Sequence, residues 1–181
     1  MARVAVIDPR SATGDARPLL DAVQSGLGMV PNFIRVLANS PAALTAFLGL
    51  HGIAGSGMLA ATTRERIALA VAEQNACQYC VSAHTAIGRK VGLDNAEMLA
   101  NRQGRSGDAK AEAALTFARA LVEHSGGVSK AEFDAVRAAG HSDGEIVEII
   151  THVAMNIFTN LLGKATEVEI DFPTVELGKA A

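Results

Sequence analysis

The chain lacks most of what would break up a helical body. Its five prolines stand at positions 9, 18, 31, 41 and 173, so residues 42–172 contain none. Basic residues never gather beyond Arg89-Lys90, and 16 basic against 19 acidic residues leave a net charge of −3. A nucleic-acid surface therefore has no electrostatic support. The amino end, Met1 to Pro9, has too short an apolar run for a secretory signal. Strand patterns are scarce: Val4-Ala5-Val6-Ile7 is the one β-like tetrad, expected in an extended leader. The apolar segment Ile146 to Leu162 is interrupted by Glu148, His152, Asn156 and Asn160, which predicts a buried core helix and no membrane partner. Cysteine occurs twice and tyrosine once. The protein reads as cytoplasmic, where thiols rest reduced and a cysteine pair points to catalysis or metal binding rather than to a structural disulfide.

What remains is a chain of 181 residues, 49% of them apolar, enough for one domain with a substantial core. So apolar a balance suits burial of further faces between subunits. The expected organisation is an amino-terminal arm over 1–16, an all-α domain over 17–170 and a tail over 171–181. Helices are expected at about 17–26, 32–38, 41–56, 63–74, 77–91, 94–101, 108–124, 130–139 and 143–168. Ser40-Pro41 gives an N-cap with proline at the first helical position. Thr62-x-x-Glu65, Asp94-x-x-Glu97, Ser129-x-x-Glu132 and Ser142-x-x-Glu145 all have the form of a capping box. Ile146, Ile149, Ile150, Val153, Ile157 and Leu161 keep the spacing of a helix buried on one side.

The chemistry concentrates in Cys77-Gln78-Tyr79-Cys80, with His84 four residues on. Positions i, i+3 and i+7 share a helix face, so both thiols and the imidazole project together. Free cysteine has a pKa of about 8.5, and the attacking species is the thiolate. A helix start at Cys77 favours the anion, and His84 one turn beyond Cys80 can exchange a proton with the sulfur. If the helices on either side of Asn75-Ala76 run back antiparallel, Glu65 falls opposite His84. Glu65, His84 and a cysteine then form a general-base chain, in which the carboxylate orients the imidazole and the imidazole activates the thiol.

Glu65, then Cys77-x-x-Cys80-x-x-x-His84, in the setting Arg64-Glu-Arg-Ile-Ala-Leu-Ala-Val-Ala, resembles the alkylhydroperoxidase D-like branch of the carboxymuconolactone decarboxylase superfamily. The resemblance runs from about residue 17 to 170 and takes in Met29-Val-Pro-Asn-Phe and Glu148-Ile-Ile-Thr-His-Val-Ala-Met-Asn. It implies an all-helical subunit assembling into homotrimers or homohexamers, and cofactor-free, thiol-dependent reduction of hydrogen peroxide or organic hydroperoxides. On that resemblance Cys80 attacks the peroxide and becomes a sulfenic acid, and Cys77 condenses with it to a disulfide. An external dithiol, such as a lipoyl-bearing protein, then resets the pair, with Glu65 and His84 as proton relay. One departure stands out: the family carries histidine directly before its second cysteine, where this chain has Tyr79, a poor proton shuttle at neutral pH.

Other readings remain open at this level. The cysteines could be small core residues. A zinc site would have only three candidate ligands, so no metal is expected. Glu65 could serve only as the capping partner of Thr62. The CxxC could belong to a redox-responsive or disulfide-exchange protein without efficient peroxide turnover, and a lactone decarboxylase of the superfamily's other branch would not need it. Tyr79 is expected to touch the substrate pocket, and His152 is a second candidate for its wall. His51 is read as core, as are Phe33, Phe47, Phe117, Phe133 and Phe158, and Gly49, Gly52 and Gly55 as sites of close helix packing.

Overall fold

The computed structural model describes residues 2–178 and contains helices without a strand among them. In chain order these are α1 (Ala16–Leu27), α2 (Asn32–Leu37), α3 (Pro41–Gly55), α4 (Ala61–Gln74), α5 (Gln78–Lys90), α6 (Asn95–Arg102), α7 (Ala109–Glu123), α8 (Lys130–Ala138) and α9 (Asp143–Thr166). The protein is a single-domain, all-α bundle, and no helix end departs from its expected position by more than two residues. Residue 1 of the arm and residues 179–181 of the tail lie outside the described residues.

The local signals act through backbone donors that a helix start leaves unpaired. Ser40 accepts from the Ala43 N–H at the start of α3, with Pro41 behind it. Ser129 and Ser142 form complete, reciprocal boxes with Glu132 and Glu145. Asp94 caps α6 through the Glu97 N–H at 2.8 Å, but the reciprocal half is missing. The Glu97 carboxylate instead takes hydrogen bonds from Arg66, Asn101 and Ser106, tying α6 to α4. The Thr62 box does not form. Residue 60, an alanine, occupies the N-cap, so Thr62 already lies inside α4. The backbone before that helix is held from α9, where the Glu148 carboxylate accepts from the N–H groups of Met58 and Leu59 at 2.7 and 2.9 Å.

α4 is the central element. Residues Ile67 to Ala72 are buried all round it, as it packs on α5, α6, α7 and α9. Each large apolar side chain so enclosed contributes about 1.5–3 kcal/mol. One apolar cluster, containing Ile67, Val71, Leu115, Phe117, Ile146 and Ile149, joins α4, α7 and α9. A second, around Leu20, Phe33, Leu37, Leu44 and Val81, joins α1, α2, α3 and α5. By length and composition α9 could cross a membrane; in the bundle it packs against α3, α4, α5, α7 and α8.

Two expectations about packing are corrected. Ile146, Ile149 and Val153 are buried, but Ile150, Phe158 and Leu161 on α9 face outward. Gly49, Gly52 and Gly55 likewise meet no atom of the described chain where a side chain would start. The reason lies in α3, which is apolar around its whole circumference and carries no Asp, Glu, Lys or Arg, yet buries only Leu44 and Ala54. Its outer face, with Leu50 and Ile53, has no partner within the described chain.

The described segments before α1 and after α9 lie on the body. The Arg3 and Ile7 N–H groups donate to Thr166 and Arg35 carbonyls, and Val6 and Ile7 pack on the second cluster. After α9 the chain crosses α5: Val175 N–H donates to Ser82 Oγ at 3.0 Å, and Arg102 donates to the Glu176 carbonyl.

Candidate active site

The site grows out of the turn between α4 and α5. Ala76 adopts φ +51°, a left-handed conformation that costs a non-glycine residue about 1–2 kcal/mol. The turn is fastened from several sides. Cys77 N–H donates to the Ala72 carbonyl, Lys164 Nζ donates to the Asn75 carbonyl, and Asn75 Nδ2 donates to Asn160 Oδ1 at 2.9 Å. Cys77 is the N-cap of α5 and makes no side-chain capping bond. The two helices run back antiparallel, as the Glu65–His84 pairing requires.

Cys77 and Cys80 are free thiols, both buried, with sulfurs 2.6 Å apart. A disulfide spans about 2.05 Å, so this is a dithiol sharing a proton. The hydrogen bond from Cys80 is the largest influence on Cys77 and lowers it to about 7, against burial. Cys80 moves up for the converse reason, its proton being held against the Cys77 sulfur, with burial adding to the effect. The pair thus parts with its first proton near neutrality and keeps the second. α9 presses on both sulfurs: a Cβ on Gly163 would stand 3.3 Å from Cys77 Sγ and 3.9 Å from Cys80 Sγ.

His84 Nδ1 lies 2.8 Å from Glu65 Oε2, with both side chains mostly covered. Burial, the largest influence on the imidazole, opposes its charge; the Glu65 carboxylate overrides this by charge and by hydrogen bond, and His84 stands above its ordinary value. The ring therefore holds its proton more tightly than a free imidazole does. Its Nε2 has no hydrogen-bond partner among the described residues. Glu65 is occupied with His84 rather than with capping, which removes the alternative reading of that carboxylate.

Cys80 and His84 both open on one cavity of about 170 Å³, and Cys77 does not line it. Its walls are apolar: Val23 and Leu27 from α1, Phe33 from α2, Phe47 from α3, Ile87 from α5 and Phe172 from the tail. Tyr79 lies in this lining, and its hydroxyl has a definite task. It accepts from the Phe33 N–H at 3.2 Å and donates to Asp171 Oδ1 at 2.9 Å, while Asp171 Oδ2 accepts from the Asn32 N–H. Burial first, then the Asp171 charge, pushes the phenol far up, so Tyr79 holds its proton throughout. It anchors α2 and the tail to the thiol-bearing helix.

His152 lies outside the cavity lining, buried in α9 with Nε2 unpartnered among the described residues. The turn of α9 carries that ring away from the thiols toward the backbone of Ala54. His51, read as core from the sequence, instead stands at the cavity rim with its ring 5.7 Å from that of Phe47. Sequence reasoning missed Asp171 and Asn160 as parts of the site. Asn160 gave a signal as a polar interruption of the apolar α9 run; Asp171, 92 residues from its partner Tyr79, gave none. Among the described residues no cluster of three or more His, Cys, Asp or Glu side chains is arranged to hold a metal ion.

The sequence profile of the carboxymuconolactone decarboxylase family matches residues 41–123, which span α3 to α7. The fold is similar to that of an uncharacterized peroxidase-related protein from Silicibacter sp. TM1040, with 25% identity, TM-score 0.82, and 93% of this chain and 91% of that one covered. It is similar also to the alkylhydroperoxidase AhpD core of a peroxidase-related protein from Ralstonia eutropha JMP134, with 26% identity, TM-score 0.84, and 94% and 92% covered. A variant of the debrominase Bmp8 in complex with 2,3,4-tribromopyrrole shares the fold at 22% identity and TM-score 0.79, with 94% of each chain covered. No curated protein matches the sequence. The helices that carry the thiols thus match the carboxymuconolactone decarboxylase family profile, and the whole fold is similar to that of alkylhydroperoxidase D-like, peroxidase-related proteins.

Proposed function

We propose that the protein is a thiol-dependent peroxidase that reduces organic hydroperoxides through a Cys77/Cys80 dithiol–disulfide cycle. One observation carries the reading: a proton-sharing dithiol opens through Cys80 onto an apolar cavity in which His84, charged by Glu65, is the neighbouring acid. The proton in the pair moves to Cys77, leaving the thiolate on Cys80, the sulfur that faces the substrate. That thiolate attacks the terminal peroxide oxygen, the O–O bond breaks, and the departing alkoxide takes the proton of His84. Cys80 is now a sulfenic acid. Cys77 gives up its proton to the now neutral relay, attacks the sulfenic sulfur as thiolate and expels hydroxide, which takes that proton and leaves as water, and a disulfide forms. An external dithiol restores the pair by exchange and carries away the two electrons.

The cavity favours substrates with an apolar body over hydrogen peroxide. A dry cavity of about 150 Å³ accommodates benzene, and the present one is of that size, with a lining that is mostly apolar. On the same reading a second copy of the chain covers the outer face of α3, an uncharged helix whose three outward glycines permit close approach. The reducing cytoplasm suits a dithiol that rests reduced.

The test mixes reduced protein with one equivalent of cumene hydroperoxide and follows thiols and intact mass. Loss of both thiols and of two hydrogens per chain within minutes, without cross-linked dimers, is expected. Thiols that persist for hours under these conditions overturn the peroxidase. They would favour the second reading, a disulfide-exchange protein, for which Tyr79 speaks: its hydroxyl is an anchor between Phe33 and Asp171 and carries no proton to the thiols.

A further inference from the structure

The sulfurs have a neighbour on α9 that the proposed mechanism leaves without a task. Asn160 is 1% exposed, and its carbonyl oxygen is fixed by Asn75 Nδ2. Its Nδ2 is buried and has no hydrogen-bond partner among the described residues. A buried amide donor left unpaired costs about 1–3 kcal/mol, a cost that the resting dithiol does not relieve. The placement of α9 shows where the donor points. Asn160 lies one turn before Gly163, where an added Cβ would stand 3.3 Å from the Cys77 sulfur and 3.9 Å from the Cys80 sulfur, and its amide acts on Cys80 in the direction that favours the anion. The Thr159 hydroxyl also favours the Cys80 anion but donates to the Asn156 carbonyl, and Asn156 Nδ2 donates to the His152 carbonyl, which leaves the Asn160 amide as the donor without another acceptor.

We propose that Asn160 is a catalytic residue whose Nδ2–H group stabilises the negative charge of Cys80, first on the thiolate sulfur and then on the oxygen that the sulfur acquires from the peroxide. The donor is unpaired when both thiols are protonated and gains an acceptor only as charge develops. That is the condition for an interaction to lower a barrier rather than merely to bind. Asn75 sets the direction of the amide by holding its oxygen on the far side. In electron terms Asn160 transfers nothing: Cys80 gives two electrons to the O–O bond, His84 gives the proton to the alkoxide, and the amide holds the charge in place. The thiolate half of this role is independent of substrate; the oxygen half rests on the peroxidase reading.

The experiment measures the pH dependence of iodoacetamide alkylation at Cys80 in the full chain, the adduct being located by peptide mass. Asn160→Ala should move the midpoint upward and lower the reactive fraction at neutral pH about 3- to 10-fold, the loss of one hydrogen bond to an anion. Asn160→Asp retains the acceptor for Asn75 and places a carboxylate at the sulfur, so it should move the midpoint further still. If the alanine variant does not fold, the aspartate variant decides. Profiles that superimpose on the parent overturn the proposal. Shifted alkylation profiles in a protein inert to cumene hydroperoxide would sink the peroxidase reading and leave the thiolate role standing.

Discussion

Glu65 on α4 and His84 on α5 face each other across an antiparallel pair at 2.8 Å, and their ion pair lies at the edge of the cavity that Cys80 enters. His84 holds its proton more tightly in the folded chain than in the unfolded one, because the Glu65 charge and hydrogen bond outweigh burial. The pair therefore stabilises the fold fully below the unfolded imidazole pKa of about 6.5, and that contribution is lost as pH rises through the raised folded value. Denaturant midpoints for Glu65→Gln should lack this pH dependence. A midpoint that falls with rising pH as steeply in the variant as in the parent would contradict the assignment.

Peroxide turnover should need the dithiol ionised and His84 protonated together. The acid limb of the rate profile is expected near the Cys77 value of about 7, where the pair loses its first proton. The alkaline limb should follow the raised His84 pKa. Glu65→Gln and His84→Ala should each slow hydroperoxide consumption by about 10²- to 10⁴-fold, the usual range for a positioned proton donor. Stopped-flow rates across pH provide the check, and rates within a factor of two of the parent would remove the relay.

The two cysteines should part company on substitution. Cys80→Ser is expected to abolish peroxide consumption, since the remaining sulfur does not line the cavity. Cys77→Ser should still react once and stop at a sulfenic acid that dimedone traps. The reverse pattern, with the dimedone adduct on Cys77 of the Cys80→Ser protein, would reassign the nucleophile.

Tyr79→Phe removes one hydroxyl and leaves the Phe33 N–H and Asp171 without their partner. A loss of about 1–3 kcal/mol in stability follows from the buried groups left unpaired. Limited proteolysis should show the segment after α9 cut earlier than in the parent, while thiol reactivity changes far less than in Glu65→Gln. Unchanged stability and cleavage would mean that the hydroxyl anchors nothing.

Ile53 is 76% exposed on α3, so replacing it should cost the isolated fold little. Ile53→Asp is expected to lower the sedimentation coefficient from that of an oligomer to that of a single chain, with helix content retained. A parent protein that already sediments as one chain would show that this face stays uncovered.

Much of the fold was legible because its signals are local. Ser40-Pro41, Ser129 and Ser142 mark helix starts through groups three or four residues away, and the proline-free interior leaves the helices intact. The Glu65–His84 pairing was legible too, because a tight turn between two helices fixes which residues face each other. The outward face of α3 was not, since an apolar period does not distinguish a chain's own core from a surface meant for another body. Nor was the Tyr79–Asp171 bond, which depends on where the segment after α9 comes to rest. Thr62 misled for a related reason: a capping pattern competes with the chain before it, and Glu148 on α9 positions that chain from 89 and 90 residues away.

The proton chemistry sits in one short hairpin, with Glu65, Cys77, Cys80 and His84 all on α4, its turn and α5. The cavity is walled largely from outside that hairpin, by α1, α2, α3, α9 and the tail. Reactivity and selectivity are thus encoded in separate stretches of sequence. Exchanging Val23, Leu27 or Phe172 redraws the space that admits a molecule while leaving the atoms that react with it untouched. A lineage built on this plan can acquire new substrates by drift at its periphery, with no intermediate that loses its chemistry along the way.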